Sequence, residues 1–353
     1  MFEDLLPAWG GEEVVVRFDA PTGAWMFVAV HSTVLGPAAG GTRMRSYPSP
    51  EDALRDGLRL SNAMTSKMAM ASMPCGGAKA VLGVPEIPTG RARRELLLRY
   101  GELVESLHGT YWTACDMNTS PVDMDVIAER CSTVFGRTEG AGGSGTSAPA
   151  TAVGVFHGLR ATVAHVFGSD DLNGRTIAVQ GVGAVGGPLA RQLAEAGAHL
   201  VLADVDEPRA KELANELEAE VVSAEDVVDV ECDVFSPCAT GAVLSRTSIP
   251  RLRCRAVAGA ANNQLAEPED AERLAEREIV YAPDYVVNAG GVIHLIGFEL
   301  LREDQARVDE RLRSIADTLG EVFAMADERQ IATGAAADAV VQQRLAAGRG
   351  EGS

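Results

Sequence analysis

Lys67 and Lys79 stand twelve residues apart in one glycine-bounded stretch, within Met64-Thr65-Ser66-Lys67 and Cys75-Gly76-Gly77-Ala78-Lys79. Two amines this close can divide a task. One, as an ammonium, holds an anionic substrate group, while the other, crowded and desolvated, loses its proton near neutral pH and acts as a base. Solvated surface charge is the ordinary state of a lysine. Here Met64, Met68, Met70 and Met73 make the surrounding polypeptide largely apolar, which disfavours an ammonium fixed beside a second cation.

A second chemistry is written in Gly181-Val182-Gly183-Ala184-Val185-Gly186. This G-x-G-x-x-G follows the β-like run Ile177–Gln180, precedes the helix-like stretch from Pro188 to Ala196, and is answered by Asp204 at the end of the next strand-like run. The first glycine makes the turn, the second lets backbone approach a pyrophosphate, and the third allows close helix packing. Ala184 and Val185 complete the turn, and the helix N-terminus supplies partial positive charge. Asp204 can bond a ribose diol and repels a 2′-phosphate, with Asp206 and Glu207 reinforcing that repulsion, so NAD is expected over NADP. A tight turn without a ligand would use similar glycines; the strand before, the helix after and the acid favour a dinucleotide site.

The elements that must position these residues are legible in outline. Glu13–Phe18 and Ala24–Val30 read as a hairpin around Ala20-Pro21-Thr22-Gly23. Ser49-Pro50-Glu51-Asp52 opens a helix with a hydroxyl cap, proline at the first position and acids at the positive dipole end. Leu54, Leu58, Ser61 and Met64 then recur at helical spacing and deliver Lys67 to the C-terminal end. A glycine-rich bend is expected to lead into a strand over Ala80–Val84, and Leu96, Leu97, Tyr100, Leu103, Val104 and Leu107 form an amphipathic stripe. The strand Tyr111–Cys115 ends at Asp116, which the sequence leaves open between a helix-capping and a catalytic role, although Ser120-Pro121 is the better cap. Gly36–Arg43 and Val287–Gly291 read equally as plain turns or as loops close to a ligand. Gly259–Asn263 follows a buried strand at its C-terminal end, where open α/β sheets bind ligands.

Gly140–Ser147 is the segment richest in glycine and serine and marks an expected hinge. Beyond it lie a helix from about Thr151 to His165 and four buried parallel strands, at Ile177–Gln180, His199–Ala203, Asp233–Phe235 and Ala256–Gly259. The expected fold class is α/β with two domains: an N-terminal mixed α/β substrate domain over 1–139, and, after a hinge at 140–148, a Rossmann-type doubly wound coenzyme domain over 149–290. Residues 291–353 read as C-terminal helices packing back across the cleft.

Composition narrows the rest. The 353 residues carry a net charge of −19, which disfavours a nucleic-acid partner. The acidic N-terminus reads as no secretion signal, and no apolar run reaches membrane-spanning length, so a soluble cytoplasmic protein without a membrane partner is expected. Six cysteines without a C-x-x-C pair suggest reduced thiols, and six histidines without metal-binding spacing make a metal site unexpected.

Together these residues resemble the glutamate/leucine/phenylalanine/valine dehydrogenase family. The likeness runs from about Val14 to the helices past Gly291, through Gly36–Arg43, Met64–Lys67, Gly76–Lys79, Asp116-Met117-Asn118-Thr119, the Gly181 fingerprint, Ala260–Leu265 and Tyr281–Gly291. The chain is most similar to the short branch acting on hydrophobic amino acids. The resemblance implies that Lys67 binds the substrate carboxylate, helped by Asn262 and the Gly40-Gly41 backbone. Lys79 would be the general base toward water, and Asp116 would shuttle protons to and from the amino group. Thr151 and Asn288 would meet the nicotinamide end. Ala39, Ala114, Met64, Val292 and Leu295 fall where the family lines its side-chain pocket. Leucine-type members resemble Gly-Pro-Ala-Leu-Gly-Gly, and alanine at position 39 widens the pocket. Phe18-Asp19-Ala20, Tyr111-Trp112-Thr113 and Ile293-His294-Leu295 look most like phenylalanine-type members, whereas Val292 and Ala114-Cys115 depart from them. The resemblance therefore implies reversible, NAD-dependent oxidative deamination, phenylalanine favoured and valine or leucine the alternative, by a homo-oligomer. A non-catalytic sensor of amino acid or dinucleotide is the competing reading.

Overall fold

The computed structural model describes residues 2–351. It forms two compact units, one of Met1–Thr146 with Leu295–Glu303 and Gln343–Ser353, the other of Ser147–His294 with Asp304–Gln342.

The first unit runs α1 (Phe2–Trp9), β1 (Glu13–Asp19), β2 (Ala24–Ser32), β3 (Ala38–Arg45), α2 (Pro50–Met70), β4 (Gly76–Gly83), α3 (Gly90–Glu105), β5 (Tyr111–Cys115) and α4 (Pro121–Ala128). Its sheet has the order β1-β2-β4-β3-β5. The expected hairpin is present as antiparallel β1 and β2, β4 runs antiparallel to β2, and β3 is parallel to both β4 and β5. Alternation along β2 sorts its side chains between two cores. Met26, Val28 and Val30 join Leu96, Leu97, Tyr100 and Val104 of α3, while Phe27 and Ala29 join Leu54 and Leu58 of α2. Each fully buried large side chain contributes ~1.5–3 kcal/mol of apolar transfer, so the sheet is clamped from both faces. α2 starts as its sequence dictates: Ser49 Oγ accepts the Asp52 N–H at 3.2 Å and Pro50 takes the first turn. Lys67 arrives in its last turn.

Two expectations are corrected. Gly36–Arg43 is no loop from Ala38 onward but the start of β3, between β4 and β5. The glycine pair expected in a bend before Ala80 belongs to β4, which begins at Gly76. Both glycine pairs lie where neighbouring backbone fills the space of a side chain, and sequence periodicity cannot register that.

The second unit holds α5 (Ala148–Phe167), β6 (Thr176–Gln180), α6 (Gly186–Glu195), β7 (His199–Ala203), α7 (Glu207–Leu217), β8 (Glu220–Val221), β9 (Val234–Pro237), β10 (Ala256–Val257), α8 (Asp270–Glu276), β11 (Val280–Tyr281), α9 (Asp284–Val287) and most of α10 (Gly290–Leu295). α11 (Gln305–Arg329) and the first part of α12 (Thr333–Glu351) complete it. All strand pairs are parallel, in the order β11-β10-β9-β6-β7-β8. The chain leaves β6 for β7 on one side and later places β9 on the other, so the switch point of this Rossmann-type sheet lies between β6 and β9. The four expected strands are joined by β8 and β11, two-residue strands at the edges that carry no readable alternation. Within Val287–Gly291 the structure places a two-residue turn, Asn288-Ala289, between α9 and α10. Among the described residues no helix is long and apolar enough to cross a membrane.

Candidate active site

Lys79 lies in the middle of β4, opposite Ala29 of β2, and is only 6% exposed. Its Nζ donates to Asp116 Oδ2 at 2.7 Å. β3 lies between the strand that carries Lys79 and the strand that ends at Asp116, and its glycines permit the meeting. A Cβ on Gly40 would stand 1.8 Å from the Ala78 carbonyl oxygen, and one on Gly41 would stand 2.5 Å from that of Cys115 and 2.9 Å from Asp116 Cβ. β3 is stripped of side chains where Lys79 and Asp116 reach across it.

Gly77 does the same for α2: a Cβ there would meet the Thr65 nitrogen at 2.1 Å. The helix end that carries half-buried Met64 and Lys67 is thereby seated on β4. Ala39 pairs with Gly77 and Trp112, and Ala114 with Gly41; both alanines are buried. Leu295 packs at Gly136, with Cδ2 3.4 Å from where a Cβ would sit.

Asp116 is no helix cap. Ser120 caps α4 in a reciprocal capping box with Asp123, which leaves the Asp116 carboxylate to the cations. Oδ2 accepts from Arg43 Nε at 3.0 Å as well as from Lys79. Arg43 Nη1 reaches Asp56 Oδ2 at 3.0 Å, and Asp56 also accepts from Tyr47 Oη at 2.7 Å and Arg59 Nη2 at 2.9 Å. Burial alone would raise the Asp116 carboxyl, but Lys79 and Arg43 outweigh it and hold it down to about 2. Burial drives Lys79 the other way, below the ordinary lysine value, with Asp116 opposing and Arg43 assisting. Sequence reasoning expected Lys67 as the cation beside the base; Arg43 is a cation that presses on Lys79. Arg43 and Asp56 are the site residues that sequence reasoning missed. Arg43 closes the quoted glycine motif, but nothing in the chain pairs it with Asp56 before β3 and α2 are packed together.

In the second unit, Gly181, Gly183, Ala184, Val185 and Gly186 turn from β6 into α6. Gly181 has φ +91°, a left-handed conformation that favours glycine, and a Cβ on Gly186 would stand 1.9 Å from the Gly181 carbonyl oxygen. At Gly183 a Cβ would meet open space, with only Arg209 Nη1 at 4.0 Å. α6 has no side-chain cap; in its first turn the Gly187 N–H already donates to the Gly183 carbonyl at 3.0 Å and Pro188 has no N–H to offer. Asp204 ends β7 with its carboxylate oriented by the N–H groups of Val182 at 2.8 Å and Asp206 at 2.9 Å. Thr151 Oγ1 lies 3.0 Å from the Cβ position of Gly291. Asn288 Nδ2 donates to the Ala260 carbonyl at 3.1 Å and to Asn262 Oδ1 at 3.0 Å, while its own Oδ1 is buried without a partner. Asn262 is exposed, and Val292 is half-buried in α10. Open space at the middle glycine, a strand-end carboxylate and an unmet buried acceptor fit a dinucleotide. Among the described residues no three metal-binding side chains converge.

A Rossmann-type unit, together with a buried lysine–aspartate pair in a separate unit, defines an oxidoreductase class, the amino-acid dehydrogenases. The model described as the Glu/Leu/Phe/Val dehydrogenase dimerisation domain matches residues 16–133, and the Glutamate/Leucine/Phenylalanine/Valine dehydrogenase model matches 142–207 and 202–349. The chain is 44% identical to valine dehydrogenase of Streptomyces virginiae over 348 residues, 96% of this chain and 95% of that one. It is 41% identical to leucine dehydrogenase of Geobacillus stearothermophilus over 336 residues, 95% of this chain and 90% of that one. Among solved structures, L-tryptophan dehydrogenase from Nostoc punctiforme matches with a TM-score of 0.85 and 36% identity over 99% of both chains. The protein belongs to the glutamate/leucine/phenylalanine/valine dehydrogenase family.

Proposed function

We propose that the protein catalyses the reversible, NAD-dependent oxidative deamination of a hydrophobic L-amino acid, phenylalanine foremost. The amino acid, NAD⁺ and water give the 2-oxo acid, ammonium, NADH and a proton. The observation that carries this reading is the 2.7 Å contact between a 6% exposed lysine, Lys79, and Asp116. Lys67 keeps its charge and holds the α-carboxylate, aided by the Gly40-Gly41 backbone and, by family likeness, Asn262. Asp116 takes a proton from the substrate ammonium so that the nitrogen lone pair can form an iminium. NAD supplies the acceptor for the hydride that leaves Cα. Neutral Lys79 then removes a proton from water as its oxygen adds to the iminium carbon. Asp116 returns a proton to nitrogen, the C–N bond breaks as the hydroxyl oxygen becomes the oxo group, and the departing ammonia takes the hydroxyl proton and leaves as ammonium.

The Gly181–Gly186 turn takes the pyrophosphate and Asp204 the adenosine ribose, which favours NAD over NADP. Thr151 and Asn288 serve the nicotinamide end. Ala39, Ala114, Met64, Leu295 and Val292 meet the substrate side chain. The small residue at Ala39 supports an aromatic substrate, while relatives named for valine and leucine support the branched-chain reading. Homo-oligomerisation through the first unit is supported by the dimerisation-domain description and by Phe18, 51% exposed on edge strand β1.

The test is a panel of the common L-amino acids with NAD and NADP in parallel at alkaline pH. Phenylalanine with NAD is expected to give the fastest NADH formation. Valine or leucine ahead of it would move the preference to branched chains, and folded protein that reduces neither cofactor with any amino acid would refute the enzyme. Calorimetric binding without reduction would favour a sensor.

A further inference from the structure

Asp116 Oδ2 is shared: Lys79 Nζ reaches it at 2.7 Å and Arg43 Nε at 3.0 Å. Neither contact uses Oδ1. Arg43 spends its other arm on Asp56 Oδ2, which Tyr47 Oη also approaches, and Asp56 Oδ1 takes Arg59 Nη2. The result is a row of alternating charge, Lys79–Asp116–Arg43–Asp56–Arg59, laid across β4, the end of β5, β3 and α2. All but the outermost, Arg59, are largely buried, with side-chain exposures of 8% for Lys79, 24% for Asp116, 13% for Arg43 and 15% for Asp56. Only a planar guanidinium can bond two carboxylates from fixed positions while remaining charged at any working pH. Arg45 of β3 also faces this cluster, its guanidinium 5.4 Å from the Tyr47 ring centre.

We propose that Arg43, held in place by Asp56, is a positioning residue for the reaction: by claiming the Asp116 oxygen that Lys79 also uses, it governs the pH at which Lys79 can act as a base. The proposal rests on the reading of Lys79 as that base. With Arg43 present, Asp116 divides its attraction between two cations and holds the Lys79 proton less firmly. Asp56 tempers Arg43 in turn, because its charge offsets part of the guanidinium field that reaches Lys79. Alternation makes the two neighbours act with opposite sign. Loss of Arg43 returns Asp116 wholly to Lys79, which then keeps its proton to higher pH. Loss of the Asp56 charge leaves Arg43 uncompensated, and Lys79 releases its proton earlier. The direction of the electrostatics agrees: Asp116 and Asp56 raise the lysine, and Arg43 lowers it.

The experiment follows the Lys79 side-chain nitrogen by NMR during pH titration of the full chain without substrate, with Lys79→Ala used for assignment. Arg43→Gln is expected to move the midpoint up by about one pH unit, and Asp56→Asn to move it down by a smaller amount. The pH profile of kcat/KM should follow in each case, and Arg43→Lys, which keeps the charge but cannot bridge both acids, should fall between wild type and Arg43→Gln. Should Arg43→Gln fail to fold, the nearly isosteric Asp56→Asn still decides through its opposite sign. An unmoved midpoint, or shifts of both variants in one direction, overturns the proposal. Retained turnover in Lys79→Ala would instead remove the base assignment, and the titration would still report whether Arg43 controls the lysine.

Discussion

Around Lys79 the proposed chemistry would rest on charged side chains taken out of water, whereas at the Gly181–Gly186 turn the proposed cofactor site rests on side chains that are missing. The first arrangement needs partners. Lys79, Asp116, Arg43 and Asp56 come from three strands and a helix and compensate one another's burial. The second needs room and bare backbone: open space at Gly183 and contact between Gly186 and Gly181, at the start of a helix that has no side-chain cap. Proton transfer depends on a tuned local field, which only neighbouring charges supply, while pyrophosphate is large and anionic and can be met by peptide dipoles alone. The two regions should therefore fail in different ways.

The sharpest break is Lys79→Ala. Loss of a general base is expected to lower kcat by ~10²–10⁴-fold while NADH affinity, measured by fluorescence titration, stays within error. A large loss of NADH binding would show that the two regions are not separable. The converse is Gly186→Val, whose Cβ would begin 1.9 Å from the Gly181 carbonyl oxygen. Overpacking of ~1–3 kcal/mol should weaken NADH binding by ~10–100-fold, yet leave the Lys79 titration unmoved.

Acid stability sharpens the side-chain half. The Asp116 carboxyl is depressed from 3.8 to about 2, so its contribution is fully present above pH 3.8 and is lost as pH falls through about 2. Over that window the wild type should lose about 2 kcal/mol relative to Asp116→Asn in denaturant unfolding; parallel stability curves would refute a paired Asp116. Smallest is Asp204→Ser. The hydroxyl can still accept a backbone N–H, as Asp204 does from Val182, but no longer repels a 2′-phosphate. The NADP to NAD ratio of kcat/KM should rise by ~10-fold; an unchanged ratio would move cofactor selection elsewhere.

Legibility in the sequence followed the same division. The fingerprint, its flanking strand and helix and Asp204 lie in one short continuous stretch, so local pattern exposed them all. Lys67 at the end of α2 was equally readable, because Ser49-Pro50 and the apolar spacing fix where that helix begins and how it runs. The pairs Gly40-Gly41 and Gly76-Gly77 were misread as loop and bend: glycine inside a strand is locally unfavourable, and only the crowding of Ala78, Cys115, Ser32 and Thr65 explains it. The short β8 and β11 escaped for want of length.

The chain alone determined which chemistries were available, since residue types, cap signals and the glycine spacing are local properties that survive in any representation of it. Tertiary structure decided which groups share a field. Arg43 joins Lys79 at Asp116 because β3, β4, β5 and α2 close on one another around backbone without side chains, and charge coupling depends on distance in space, to which separation along the chain is no guide.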